Sequence, residues 1–147
     1  MKNENIIAEG LGTLLADSYT LMIKTHNYHW NVEGAHFPAL HALFEGQYTE
    51  LFGAVDEIAK RMRALEAKAP AGLHAFSDLT AVKDGDSSKK DKEMVSDLLA
   101  DHETIISRGE KVLRLAEDNG DAPSADLLTR RLESHQKQAW MLRSFLK

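Results

Sequence analysis

Four stretches of this 147-residue chain place apolar residues at steps of three and four, and one long interruption separates the second stretch from the third. That spacing is the stripe of an amphipathic helix and leaves no room for a sheet. The first stretch runs from Asn5 to about Asn31, with Ile7, Leu11, Leu14, Leu15, Met22 and Trp30. Gly10 and Gly12 weaken it slightly. A break at Glu33-Gly34-Ala35 follows, and Pro38 suits the first turn of the next helix. The second stretch, Phe37 to Ala67, carries Phe37, Leu40, Phe44, Tyr48, Leu51, Phe52, Val55, Ala59 and Met62. Ala69-Pro70-Ala71-Gly72 ends it.

The interruption extends to Ser88 and is too long for a plain turn, so it is expected to cross the bundle. Phe76 and Leu79 could anchor a short helix within it. The third helix is expected to start near Ser88, with Met94, Leu98, Ile105, Val112 and Leu115 inward and Asn119-Gly120 as the stop. Asp121 and Pro123 open the fourth, which carries Leu127, Leu128, Leu132, Ala139, Leu142 and Phe145. Two helices, a crossover and two more make an all-α, ferritin-like four-helix bundle over residues 1–147.

Composition narrows the chemistry. Without cysteine there are no disulfides, iron–sulfur clusters, thiolate zinc sites or thiol nucleophiles. A net charge of −5 counts against nonspecific nucleic-acid binding, which is driven by neutralising phosphates. No run of about 18 apolar residues marks a membrane span, and Met1–Asn5 does not resemble a signal peptide. The expected address is the cytoplasm.

Histidine is the informative residue. Of seven, His26, His29, His36 and His41 fall within sixteen residues around the first helix–helix junction. His41 and Glu45 stand four apart, on one helical face, and can close on one cation. The same face continues through Tyr48, Phe52 and Asp56. Glu45 and Asp56 are about three turns apart, roughly 16 Å along the axis, so one ion cannot touch both in one chain. Two copies of this helix packed antiparallel about a dyad near residues 50 and 51 would bring Asp56 of one level with His41 and Glu45 of the other, twice over. Tyr48, Leu51 and Phe52 would then lie at the interface. Imidazole and carboxylate together suit first-row divalent ions, with iron, zinc and manganese all candidates.

These residues also carry a resemblance. Thr25-His26-Asn27-Tyr28-His29-Trp30-Asn31-Val32-Glu33-Gly34, then Phe37, Leu40-His41, Phe44-Glu45, Tyr48 and Asp56-Glu57-Ile58-Ala59, resembles the Dps family of miniferritins. Ala125-Asp126-Leu127-Leu128 extends the likeness along the chain. The resemblance implies a dodecameric shell that oxidises ferrous iron between dyad-related subunits, commonly with hydrogen peroxide, with oxygen the other oxidant, and stores ferric mineral inside. It implies ligands at His29, His41, Glu45 and, from the partner chain, Asp56. Trp30 matches a tryptophan beside the site, as an electron donor or as an ordinary packed aromatic. Asp126, and more loosely Asp121, match acidic pore positions; a helix cap is the competing role for Asp121, and helix-dipole complementation for Asp126.

The resemblance breaks at Lys60, where the family pattern has a Glu ligand. An ammonium offers no lone pair, repels a cation, and from one turn away can compete for Asp56. Iron binding is expected to persist in altered form, with Glu57 or water completing the site. The competing reading is a non-catalytic shell or DNA-compacting protein. A third is a helical bundle that binds zinc at His29 and His41. No basic tail follows Arg143-Ser144-Phe145-Leu146-Lys147, and Lys2 is the sole base in the first five residues. Lys89, Lys90, Lys92, Arg130, Arg131 and Lys137 are diluted by acids, so direct DNA binding is expected to be weak or absent.

Overall fold

A computed structural model describes residues 2–147 of the chain, with side chains described from Ile6 onward. It contains five helices: α1 (Lys2–Asn31), α2 (Phe37–Ala64), α3 (Leu73–Leu79), α4 (Asp91–Asp118) and α5 (Ala122–Phe145). The four long ones form the bundle, and α3 sits within the crossover. Helix α1 starts at Lys2, three residues before the expected start at Asn5. The side chain of Lys2 lies outside the described residues.

Ion pairs set the register of the bundle. Lys24 meets Asp97 and Asp101, and Asp17 meets Arg108, so α1 and α4 run antiparallel. Glu50 with Arg131 and Arg61 with Asp121 make α2 and α5 antiparallel as well. Gly10 marks the closest approach of α1 to α4. A Cβ there would lie 2.7 Å from Val112 Cγ1, which accounts for a glycine inside a helix.

The crossover is stapled rather than slack. Buried Asp17 accepts hydrogen bonds from Thr80 Oγ1 and the Ala81 amide, each at 2.9 Å. The Tyr28 hydroxyl donates to Asp97 at 2.5 Å and accepts from the Asp86 amide. Phe76 of α3 stacks on Tyr19 with ring centroids 4.9 Å apart. Helix α4 starts three residues later than expected. Asp86 Oδ1 captures both the amide and the hydroxyl of Ser88, holding that residue in a turn, and Glu93 reaches back to the Lys90 amide to open the helix.

Several residues of the sequence stripes face outward. Phe37, Phe52 and Trp30 are exposed, whereas Leu51 is buried inside its own bundle and cannot serve an interface. By length and average hydropathy, the stretch Ile6–Asn31 of α1 is apolar enough to cross a membrane, contrary to the reading from runs alone. Its Ile7, Leu11, Leu14, Leu15 and Leu21 are instead the core of the bundle.

The core is not wholly apolar. Gln47, His102, Arg131 and His135 occupy inward positions, in the case of His102 between Leu98 and Ile105. Burial, reinforced by the Arg131 charge, lowers His102 to about 4, and burial with the neighbouring His102 and Arg131 holds His135 well below the usual imidazole range. The unfolded chain therefore takes a proton on His102 below about 6.5, but the folded chain only below about 4. Stability is present above pH 6.5 and is lost as pH falls toward 4, on the order of 3 kcal/mol from this group. Asp101, pushed up to about 6 by burial against the pull of Lys24, acts in the opposite sense. A His102→Gln comparison cancels it. The thermal midpoint of the wild type is predicted to fall more steeply between pH 6.5 and 4 than that of His102→Gln; parallel curves would contradict the assignment.

Candidate metal centre

Helix α1 ends and α2 begins beside each other, joined by a short turn in which Gly34 takes φ +115°. That junction brings His29 and His41 together. Their rings stack with centroids 3.8 Å apart and planes 13° from parallel. His29 Nδ1 donates to the His41 carbonyl at 2.7 Å, and His41 Nδ1 donates to the His29 carbonyl at 2.8 Å. A carbonyl only accepts, so each neutral ring carries its proton on Nδ1 and keeps a free lone pair on Nε2. Both imidazoles are thus held in the form that ligates a cation, oriented by backbone atoms.

Glu45, one turn after His41, completes a cluster. Its Oε1 lies 3.9 Å from His29 Nε2, and the ligand atoms of His29, His41 and Glu45 all fall within 4.8 Å of one another. Two donors each about 2.1 Å from one ion stand at most about 4.2 Å apart. Neighbouring donors on one ion stand about 3.0–3.4 Å apart, so a shift on the order of an ångström would bring the three together. His29 is buried, while the Glu45 side chain is 60% exposed, so the cluster opens onto the surface.

The other predicted residues lie elsewhere in the chain. Asp56 is outside the cluster, as the pitch of α2 requires, and bonds Lys60 Nζ at 2.8 Å. That hydrogen bond, with the Asp56 charge, raises Lys60 above its ordinary range, so the ammonium stays charged. Glu57 turns toward α5 and, in the separate chain, pairs with Arg130 at 2.6 Å across two partly exposed side chains. Asp121 caps α5 through the Ser124 amide and hydroxyl and pairs with Arg61, so the cap is the role its geometry supports. Asp126 is exposed and pairs at 3.2 Å with Arg130.

Trp30 is 64% exposed in the single chain and stacks on His26 with ring centroids 4.4 Å apart. The His26 ring centroid stands 4.1 Å from that of Tyr48, and the Tyr48 ring meets His29 at a steep angle, 71°, with centroids 5.2 Å apart. Sequence reading assigned His26 no role; its signal was the three-residue step to His29 on one helical face.

Comparison with known proteins agrees with this architecture. The ferritin-like domain family model matches residues 8–147. An uncharacterized low temperature-induced protein of Nostoc sp. is 40% identical over 135 residues, covering 90% of this chain and 75% of that protein. DNA protection during starvation protein 2 of Bacillus anthracis is 33% identical over 144 residues, 98% of each chain. The crystal structure of the Dps protein of Vibrio cholerae O1 superposes with a TM-score of 0.96 at 28% identity, covering 99% of this chain and 92% of that one. That protein is described as a member of a broad superfamily of ferritin-like diiron-carboxylate proteins.

The geometry leads to a separation of roles. Replacing His41 by Ala removes one nitrogen and also the donor that meets the His29 carbonyl. Zinc or cobalt affinity, read by calorimetry, is predicted to fall about tenfold or more. Glu57→Gln should leave it unchanged; a comparable loss there would return Glu57 to the ligand shell.

Proposed function

From the premise that this chain belongs to the ferritin-like family, and within it to the Dps proteins, we propose that it sequesters iron by oxidising Fe²⁺ at centres shared between subunits. The observation that carries the proposal is the pair of backbone-locked imidazoles, His29 and His41, with both Nε2 atoms free beside Glu45 on an exposed face. The fourth ligand is Asp56 of the partner subunit, brought in by antiparallel packing of two α2 helices. Phe52, 68% exposed in the single chain, and Tyr48 occupy the middle of that face. Twelve copies forming a hollow shell would enclose the ferric product.

Ferrous iron is the substrate here. Neutral imidazoles and carboxylates bind it without filling every position, leaving room for an oxidant. Hydrogen peroxide accepts two electrons, one from each of two ferrous ions, takes up two protons from solvent and leaves as two water molecules, so neither reagent of hydroxyl-radical chemistry survives. Carboxylate charge favours the ferric product over the ferrous substrate. Zinc fits the same donors and would compete for them. Protection of DNA follows from this chemistry and needs no direct contact, in keeping with the acidic balance of the chain.

Lys60 tunes the centre. It holds Asp56 in the separate chain, and an incoming ion must displace it. Both side chains are mostly exposed, so the pair costs little to break. The same ion pair supports the second reading, a shell whose oxidation is impaired. Ferrous oxidation followed optically with peroxide and with oxygen decides between them: stoichiometric, peroxide-favoured oxidation supports the first, and none supports the second.

Lys60→Glu is predicted to raise ferrous affinity and oxidation rate, each by about tenfold, by adding a ligand and removing a competing cation. An unchanged or lower rate would show that residue 60 does not face the centre. Asp126, exposed at the start of α5, is assigned to an entry pore, where clustered carboxylates concentrate cations. Asp126→Asn should slow mineral formation by the assembled shell without altering metal affinity at the centre; equal loss of both would remove the pore role.

A further inference from the structure

The surface centre makes no use of the polar layer in the bundle core. Gln47, His102, Arg131 and His135 are each at least nine-tenths buried there. The Glu50 carboxylate holds both terminal nitrogens of Arg131. Arg131 Nη2 also lies 3.2 Å from His135 Nε2, and His135 Nδ1 lies 2.9 Å from His102 Nδ1.

The direction of every bond in this row is determined. A guanidinium only donates, so His135 Nε2 accepts and the His135 proton sits on Nδ1. That proton is given to His102 Nδ1, which leaves the single proton of neutral His102 on Nε2. Burial keeps both rings neutral. Among the described residues, His102 Nε2 has no partner, and neither does Arg131 Nε or either polar atom of the Gln47 amide. The Glu50–Arg131 pairing, with α2 antiparallel to α5, brings Gln47, one turn before Glu50, level with His135 one turn after Arg131. His102 is bonded to His135, so the free donor and the free amide share a layer.

The same row excludes a cation. To ligate, His102 would need a lone pair on Nε2 and its proton on Nδ1. His135 would then accept on Nδ1 and carry its proton on Nε2, facing the Arg131 N–H donor to donor. The guanidinium charge adds repulsion. Buried donors with no acceptor are costly, and native structures satisfy them with a small buried partner.

We propose that His102 Nε2–H, together with the Gln47 amide, forms an internal site for one small hydrogen-bond acceptor, a water molecule or a halide ion, and that this site rejects divalent cations. It is separate from the surface centre and does not depend on the iron reading.

Crystals of the assembled protein, one set soaked in bromide and one in cobalt, test it. One isolated density peak within hydrogen-bond distance of His102 Nε2 is expected in both. Anomalous bromide signal at that peak identifies a halide, and its absence identifies water. Cobalt is expected at His29 and His41 and not at His102. Cobalt bound at His102, no density beside Nε2, or a direct bond from Nε2 to Gln47 Oε1 would overturn the proposal. Cobalt missing from His29 and His41 would count against the iron centre alone. Solid-state ¹⁵N spectra of histidine-labelled protein provide a second readout: His102 protonated on Nε2 and His135 on Nδ1 are expected, and His102 protonated on Nδ1 would overturn the assignment.

Discussion

The reciprocal bonds between His29 and His41 are the interaction on which the remainder depends. Each imidazole gives its Nδ1 proton to the other residue's carbonyl, so two helix ends and two side-chain orientations are set at once. The His29 carbonyl lies in the last turn of α1, where carbonyls lack intrahelical partners, so the bond from His41 satisfies it. Both bonds select the tautomer. A cation then meets two lone pairs that are already aimed, and little side-chain freedom remains to be lost on binding.

Electrostatics works on the outer half of the centre. Glu45 is exposed and supplies charge, while Asp56 is paired with Lys60 in the separate chain. Separate chains therefore present a cationic side chain where an assembled centre needs a carboxylate. Inside the bundle the logic reverses. The carboxylate of Glu50 is spent on Arg131, and the two core imidazoles are locked by that guanidinium into a row that offers only donors.

Much of this was legible in the sequence because it rests on helical pitch. The four stripes, the crossover, the Gly120 stop and the Asp121 cap follow from local rules, as does the impossibility of joining Glu45 and Asp56 within one chain. What escaped reading depends on azimuth and on partners remote in sequence. Leu51 and Phe52 are adjacent and equally apolar, and only the packing of α5 and α1 decides which one is buried. Nothing local to Glu57 shows that Arg130, far along the chain, pairs with it. His102 and His135 interrupt otherwise apolar stripes, a signal visible in the sequence whose meaning required their pairing across α4 and α5. The start of α4 was misplaced because Ser88 reads as a helix start, and only its bonds to Asp86 show that it belongs to the preceding turn.

A crystal structure of the assembled protein loaded anaerobically with Fe²⁺ tests the central claim most directly. The account predicts iron bound by Nε2 of His29 and His41 and by Glu45 of one subunit, closed by Asp56 of its dyad mate with Lys60 swung aside. Iron held entirely within one chain, or those imidazoles facing a neighbour that brings no aspartate, would contradict it.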